Sequence, residues 1–329
     1  MSAKSARRGL TLTLAVVAVL VLFLGALPMG AQEGPSGDST PSRGPHAVVD
    51  SGGHVRQDGG EVIGYSIDSD ASDRLWRIDL NTGAATPIGF TGFSDIESLS
   101  FSAAGVLYGV DEGTKQLVTC SLSSGNCAGV GSLVLGFFED TGLSFDGSGR
   151  LWMSTDEPAP FYFYRLNPTS GAATLIGAQN QEVTGLAFRN GILYGLGGDY
   201  TDNLVVVDRG TGSVTAVGPL GAVTLIDGGI DFDAEGVLWG ISDPEDDTDT
   251  VPSEVFTINT ATGAATVVAT VTNGDGRGLA GFESLAVWPA GLVPPEEEPF
   301  VPEPGTLLLL GSGLLGLSGY VAMRRRKRG

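Results

Sequence analysis

Arg77-IDLNTGAATPI-Gly89 is the first of five 13-residue units that recur along the chain. The other four units span Thr119–Gly131, Arg165–Gly177, Val206–Gly218 and Thr257–Ala269. Each has a central glycine, and four of the five have an Asp or Asn four residues before it. Because an Asx side chain bonds the backbone of a turn and glycine accepts positive φ, each unit is predicted to form a strand, a turn and a second strand.

A second unit follows each of the first four repeats. These units span Ser100–Tyr108, Ser144–Trp152, Ala187–Tyr194 and Asp231–Trp239, and their Phe residues are 44, 43 and 44 positions apart. Each unit has apolar residues on both sides of a short glycine-containing turn, which predicts another hairpin. Four strands per period of about 44 residues are typical of β-propeller blades.

The chain is therefore predicted to be all-β, with a propeller of five four-stranded blades over residues 61–290. The segment Glu61–Asp68 precedes the first repeat, and Phe282–Trp288 ends the fifth repeat without its last strand. Joining these two segments would close the ring and remove its exposed edges. Since the last two central glycines, Gly212 and Gly263, are 51 residues apart, a six-bladed ring with extra strands in that interval is the alternative.

Composition excludes several functions for this domain. The chain has 329 residues with 18 basic and 38 acidic side chains, and eight of the basic ones stand near the two ends. A body that acidic repels phosphate backbones, which argues against nucleic-acid binding. The only histidines, His46 and His54, precede the predicted propeller. Triad catalysis and His-based metal sites are therefore excluded from residues 61–290.

The N-terminus has the organisation of an export signal. Lys4, Arg7 and Arg8 precede an apolar run from Leu10 to Leu27, and small residues follow it. We expect a signal peptide over residues 1–31, with an uncleaved signal anchor as the alternative. Residues 32–60, rich in Gly, Ser, Pro and Asp, are predicted to be a disordered linker.

The C-terminus has three ordered parts. An acidic, Pro-rich linker over residues 291–306 precedes an apolar run over 307–323, and a basic tail occupies 324–329. The run is long enough for a transmembrane helix, and the basic tail is expected to stay cytoplasmic. An ordinary membrane anchor is the alternative interpretation.

This arrangement resembles the PEP-CTERM sorting signal. The matching residues are Val301, Pro302, Glu303, Pro304 and Gly305. The resemblance implies recognition by an exosortase of a Gram-negative bacterium. It also implies an inner-membrane-anchored precursor and delivery to the cell surface or to an extracellular matrix such as that of a biofilm.

Two cysteines flank one predicted hairpin turn. Cys120 and Cys127 stand on facing strands of the second 13-residue unit. In an exported protein, such a pair is expected to form a disulfide rather than a metal site.

Acidic residues recur just before the Phe-bearing strand of each repeat. Besides Asp95, they are Glu97, Glu139, Asp140, Glu182, Asp227 and Glu283. If that strand is the innermost of its blade, the acids would gather at one mouth of the central channel and provide oxygen ligands for Ca²⁺. The alternative is that each acid serves its own blade; no other cofactor is indicated.

These observations favour a non-catalytic module that binds a glycan or a protein at the cell surface. The alternative is a carboxylate-dependent, calcium-assisted hydrolase or lyase acting on exopolysaccharide or phosphoesters, with Glu97 and Glu283 as the candidate pair. A purely structural matrix component is a third hypothesis. The fold itself does not distinguish them.

Overall fold

The computed structural model describes residues 48–49, 55–56, 60–69, 72–157, 159–198, 201–221, 223, 225–244, 250–289 and 291–292. The predicted signal peptide, the PEP motif, the apolar run 307–323 and the basic tail lie outside these residues. None of the described residues belongs to a helix that is long and apolar enough to cross a membrane. Within the predicted linker, strand β1 (Val48–Val49) pairs with β2 (Val55–Arg56).

The remaining strands form five antiparallel sheets of four strands each. The first sheet contains β3 (Ile63–Ile67), β4 (Arg74–Asp79), β5 (Ala84–Phe90) and β22 (Ala286–Val287), the last strand among the described residues. The second contains β6 (Ile96–Phe101), β7 (Leu107–Asp111), β8 (Gln116–Cys120) and β9 (Cys127–Ser132). The third contains β10 (Glu139–Phe145), β11 (Leu151–Glu157), β12 (Tyr162–Leu166) and β13 (Ala173–Ala178).

The fourth sheet contains β14 (Gly185–Arg189), β15 (Ile192–Gly197), β16 (Asn203–Val207) and β17 (Val214–Pro219). The fifth contains β18 (Asp227–Phe232), β19 (Leu238–Asp243), β20 (Glu254–Ile258) and β21 (Ala265–Thr270). The sheets are called blades 1 to 5 in this order. The chain is thus an all-β propeller of five four-stranded blades, as the repeats predicted, and the six-bladed alternative is wrong.

The ring closes through the two ends of the domain. Strand β22 pairs with β3, with Ala286 opposite Tyr65 and Val287 opposite Gly64. The innermost strands β6, β10, β14, β18 and β22 contact one another in that order around the ring, and β22 in turn contacts β6. This closure joins the two segments that the sequence left unpaired, and it removes the exposed edge of blade 1.

Adjacent blades approach closely at the glycines of the 13-residue units. A Cβ atom on Gly125, whose φ is +77°, would lie 2.4 Å from the carbonyl oxygen of Gly89 in the preceding blade. The same contact joins Gly131 with Gly171 and Gly218 with Gly263. The final glycine of one unit therefore packs on the turn glycine of the next, which explains why both positions recur.

Two further sequence features are placed by the structure. Cys120 and Cys127 form the predicted disulfide across the β8–β9 hairpin, with a Cα–Cα distance of 4.0 Å. Asp233 binds its own hairpin turn: its Oδ1 accepts from the backbone N–H groups of Gly236 and Val237, both at 2.8 Å.

Candidate functional site

The central channel is almost filled by the innermost strands. The lining consists of three layers of side chains or backbone, and each layer is formed by residues at one equivalent position of the innermost strands. Its apolar layer consists of Leu99, Leu143, Leu186, Ile230 and Leu285, which are all buried. The free space has a volume of about 10 Å³, which is room for about one water molecule.

Glu97 and Glu283 occupy one mouth of this channel. They stand at the same position of neighbouring innermost strands, where the other blades have Thr141, Thr184 and Gly228. Glu97 is the extra residue of a β-bulge, because Ile96 and Ser98 pair with the consecutive residues Asp111 and Val110. A bulge of this kind redirects a side chain, and here the bulge at Glu97 brings its carboxyl group to that of Glu283.

The two carboxyl groups are hydrogen-bonded to each other. Their residues are 6% and 7% exposed, and Ser69 Oγ donates to Glu283 Oε2 at 2.7 Å. Burial raises the pKa of Glu97 well above its ordinary value, and the neighbouring charge of Glu283 raises it further. A hydrogen bond between two carboxyl groups requires one proton between them, so the pair is arranged to hold a proton.

A second group of carboxylates lies beside this pair. Glu112, the first residue after β7, is 4% exposed, and its pKa is raised by burial and then by the charges of Asp140 and Asp95. Asp140 has a φ of +45° at the start of β10. Lys115 partly offsets the repulsion at Glu112, while its Nζ donates to the Phe138 carbonyl at 2.6 Å. Four acids, Glu97, Glu283, Glu112 and Asp140, thus interact electrostatically at one side of the mouth.

Buried oxygen atoms in this group lack hydrogen-bond partners among the described residues. They are Glu97 Oε2, Glu112 Oε1 and Asp111 Oδ1. Buried polar atoms are almost always paired in native structures, so an unpaired carboxylate oxygen indicates either a proton or a ligand. As the side chains stand, no three His, Cys, Asp or Glu residues among those described are arranged to hold a metal ion.

The other predicted acids lie apart from the channel lining. Glu139 is opposite Glu157 in the β10–β11 register, and Asp227 is opposite Asp243 in the β18–β19 register. Glu182 is buried in the connection before β14. Among the described residues, the carboxylates that raise the pKa of Glu97, namely Glu283, Glu112 and Asp140, come from blades 1 to 3.

Sequence reasoning missed Glu112 and Ser69. Glu112 follows the second strand of its blade rather than preceding the first, so it fell outside the pattern of acids before the Phe-bearing strand. The recurrence of acids at the end of second strands, as in Asp111-Glu112 and Asp156-Glu157, is the signal that would have found it.

Solved structures with some similarity to the chain have low identity and low TM-scores. One is a structural genomics protein of unknown function from Bacteroides thetaiotaomicron, with 20% identity, a TM-score of 0.43 and coverage of 54% of this chain and 52% of that chain. The chain thus spans about half of that protein's length. A calcium-binding protein, regucalcin, from Agrobacterium tumefaciens has 16% identity, a TM-score of 0.39 and coverage of 63% and 73%. A nidogen/laminin complex structure has 10% identity, a TM-score of 0.44 and coverage of 74% and 93%. Similarities this low support no statement about activity.

The chain has no significant match among curated proteins. Its C-terminus does match a known signal: residues 300–327 match the PEP-CTERM protein-sorting motif. The resemblance found in the sequence is thereby confirmed. The motif implies exosortase processing and export by way of a membrane-anchored precursor, so this chain is a β-propeller protein that carries a PEP-CTERM sorting signal.

Proposed function

We propose that this protein is a cell-surface or matrix protein whose propeller is a non-catalytic binding module for a glycan or a protein, with one Ca²⁺ ion bound among the carboxylates of the channel mouth. The observation that carries the cation site is the buried, unpartnered Oε2 of Glu97, which lines a space of about 10 Å³. A second such oxygen, Glu112 Oε1, belongs to a carboxyl group that interacts electrostatically with Glu97. Such a space suits a single ion or water, and carboxylate oxygens are the ligands that Ca²⁺ takes.

Cation binding would replace the proton that Glu97 and Glu283 share. Both carboxyl groups must be ionised to coordinate a metal, so binding releases a proton and strengthens as pH rises. Asp140 and Glu112 lie close enough to affect the pKa values of this group, and they would supply the additional charge. The ion would thus stabilise the closure between blades 1 and 2, where β22 contacts β6.

A carboxylate-dependent hydrolase is the second candidate function. The raised pKa of Glu97 beside a second carboxyl group favours it, because an acid and a base of this kind divide the work in glycoside hydrolysis. However, glycosidase carboxyl groups stand roughly 5–9.5 Å apart with the sugar between them. Here the two groups are hydrogen-bonded to each other in a channel with room for about one water molecule. This geometry favours an ion over a saccharide at the mouth.

A thermal melt of the full chain in detergent tests the cation site. With a Kd of about 10 μM, 1 mM Ca²⁺ should stabilise the native state by about 2.7 kcal/mol relative to EDTA, which raises Tm by roughly 5–10 °C. Glu97→Gln and Glu283→Gln should abolish the rise, whereas the exposed Glu235→Gln should leave it unchanged. Superimposable melts of the unaltered protein would overturn the cation proposal.

Processing tests the sorting half of the proposal. Replacing Glu303 by Ala should leave the full-length precursor in the inner membrane if an exosortase processes the chain at this motif. An unchanged ratio of precursor to surface-exposed product would contradict that assignment.

A further inference from the structure

A groove of about 760 Å³ lies between blades 3 and 4, on the side of the ring where the innermost strands end. Arg150 and Trp152 line it from blade 3, and Ile192, Arg209, Thr211 and Thr215 line it from blade 4. Its volume is within the range of small-molecule sites, and it is far larger than the space in the channel. The mechanism proposed for the channel mouth uses none of these residues.

The two arginines of this groove depart from the repeat pattern. Arg150 stands where the other blades have Val106, Ile192 and Val237. Arg209 stands where the other 13-residue units have Leu80, Leu122, Pro168 and Thr260. None of these counterparts is a cation. The packing of a blade therefore does not require a charge at either position.

The arginines are placed differently within the groove. Arg209 Nη1 donates to Asp146 Oδ2 at 2.9 Å, and its Nη2 donates to the Gly191 carbonyl at 3.0 Å. Its guanidinium carbon also lies 4.8 Å from the centre of the Phe188 ring. Arg150 is exposed, and its guanidinium has no hydrogen-bond or ion-pair partner among the described residues.

The domain contains many carboxylates, yet none of the described ones pairs with the Arg150 guanidinium. Residues 61–290 contain eight basic and 30 acidic side chains, so carboxylates are abundant. Arginine presents a planar fork of N–H donors that matches a carboxylate in a bidentate geometry. Asp208 also lines the groove, but its Oδ1 accepts from the N–H groups of Gly210 and Thr211 in its own turn.

The remaining wall suits a sugar ring. Ile192 is 40% exposed and Trp152 forms a buried floor, which gives the groove an apolar surface. The exposed Thr215 contributes a hydroxyl group to the same lining. Apolar contact, a hydroxyl group and a free guanidinium match a pyranose that carries a carboxylate.

We propose that the groove between blades 3 and 4 is a binding site for a saccharide bearing a carboxylate group, with Arg150 as its charged anchor and Arg209 as the preorganised second cation. The proposal deepens the binding role of the propeller and rests on it, but not on the cation site at the channel mouth. Electrostatic repulsion from the acidic body is screened beyond roughly 8 Å at physiological ionic strength, so it does not prevent contact at the groove.

Titration calorimetry of the full chain in detergent tests this inference. The probes are galacturonic acid, its trimer, and a galactose trimer that lacks the carboxylates. We expect the galacturonate trimer to bind at least tenfold more tightly than the galactose trimer, because a charge-assisted hydrogen bond is lost with each carboxylate. Binding of the monomer alone would identify a free sugar acid, and preference for the trimer would identify a polymer.

Arg150→Val places the residue of blades 2 and 5 at this position, and it should weaken galacturonate binding by at least tenfold without lowering Tm. Arg277→Val, which removes an exposed charge from a hairpin elsewhere, is the matched control and should leave the affinity unchanged.

Equal losses in both variants, equal affinity for the galactose trimer, or no binding of any probe would overturn the proposal. Tighter binding of a glutamate-rich peptide would overturn it in favour of a protein partner. The Ca²⁺ melt is independent of these residues, so either result can stand alone.

Discussion

Asp146 connects the hairpin turn of blade 3 to Arg209 of blade 4. Its Oδ1 accepts from the backbone N–H groups of Ser148 and Arg150 at 2.9 and 3.0 Å, and from Ser148 Oγ. Its Oδ2 accepts from Trp152 Nε1 at 3.1 Å and from Arg209 Nη1 at 2.9 Å. Replacement by Asn keeps one oxygen but places an NH₂ group against these last two donors.

Burial opposes ionisation of Asp146, but the hydrogen bonds from Ser148, Arg150 and Trp152 outweigh it and lower its pKa from 3.8 to about 2. A depression of that size corresponds to about 2 kcal/mol of stability. Since the side chain of Arg209 is 29% exposed, solvent screening reduces the expected loss to about 1–2 kcal/mol. For a domain of this size, Asp146→Asn should therefore lower Tm by roughly 2–8 °C.

The structure provides a matched control in blade 5. Asp233 also binds its own turn, through the N–H groups of Gly236 and Val237, and its Oδ2 accepts from Trp239 Nε1 at 2.8 Å. Arg189 donates to the backbone carbonyl of Asp233, but no arginine among the described residues donates to its carboxylate. Asp233→Asn should therefore cost less than Asp146→Asn. In an Arg209→Leu background, the difference between the two Asn variants should shrink by about 1 kcal/mol.

Thermal melts between pH 2 and pH 7 measure this effect. The folded-state pKa of Asp146 is lowered, so its contribution is fully present above about pH 4 and is lost as pH falls towards 2. The difference in Tm between the unaltered protein and Asp146→Asn should follow that curve. Equal losses for Asp146→Asn and Asp233→Asn, or a difference that does not vary with pH, would refute the role given to Arg209.

Three other perturbations follow from the same structure. In EDTA, Glu97→Gln should raise Tm at pH 8 but not at pH 4.5. The folded-state pKa of Glu97 is raised, so the protonated carboxyl group contributes stability that is lost as pH rises through that pKa. A lower Tm at both pH values would contradict the shared proton. Gly125→Ala should lower the free energy of unfolding in denaturant melts by roughly 1–3 kcal/mol more than Gly149→Ala. Both glycines have a φ of +77°, but only Gly125 lies against a neighbouring backbone. Equal losses would argue against the inter-blade contact. Replacing Cys120 and Cys127 by Ser should cost about 2 kcal/mol, at the low end for disulfides because only seven positions separate them, and reducing agent should then have no further effect.

The repeats predicted the fold because each blade carries its own complete signal. The turn glycines, the Asx residues before them and the alternating apolar strands are local features, and their spacing defines the blade. Even the closure could be predicted, since Glu61–Asp68 and Phe282–Trp288 were the only strand-like segments left without partners. In the structure, the counterpart of Phe101 is Val287, whose position puts Glu283 level with Glu97.

The candidate site was harder to predict because it depends on departures from the repeat. Three of the predicted acids, Glu97, Asp140 and Glu283, interact at the mouth, but Glu97 reaches its partner through a bulge that no spacing rule anticipates. Glu112 joins them from the end of a different strand. Offsets along the sequence measure position within a strand, whereas a bulge and a positive φ change which way a side chain points.

The positions that break the repeat are therefore the ones that carry specific chemistry. A propeller needs the same packing in each blade, so a residue that differs from its four counterparts is free of that requirement. Glu97 and Glu283 replace the Thr or Gly of the other innermost strands, and Arg150 and Arg209 replace apolar or small residues. The first pair concentrates negative charge where only an ion fits, and the second places positive charge in a groove large enough for a sugar. Because the two sites lie at opposite ends of the innermost strands, with separate residues and opposite charge, each can be removed by substitution while the other remains intact.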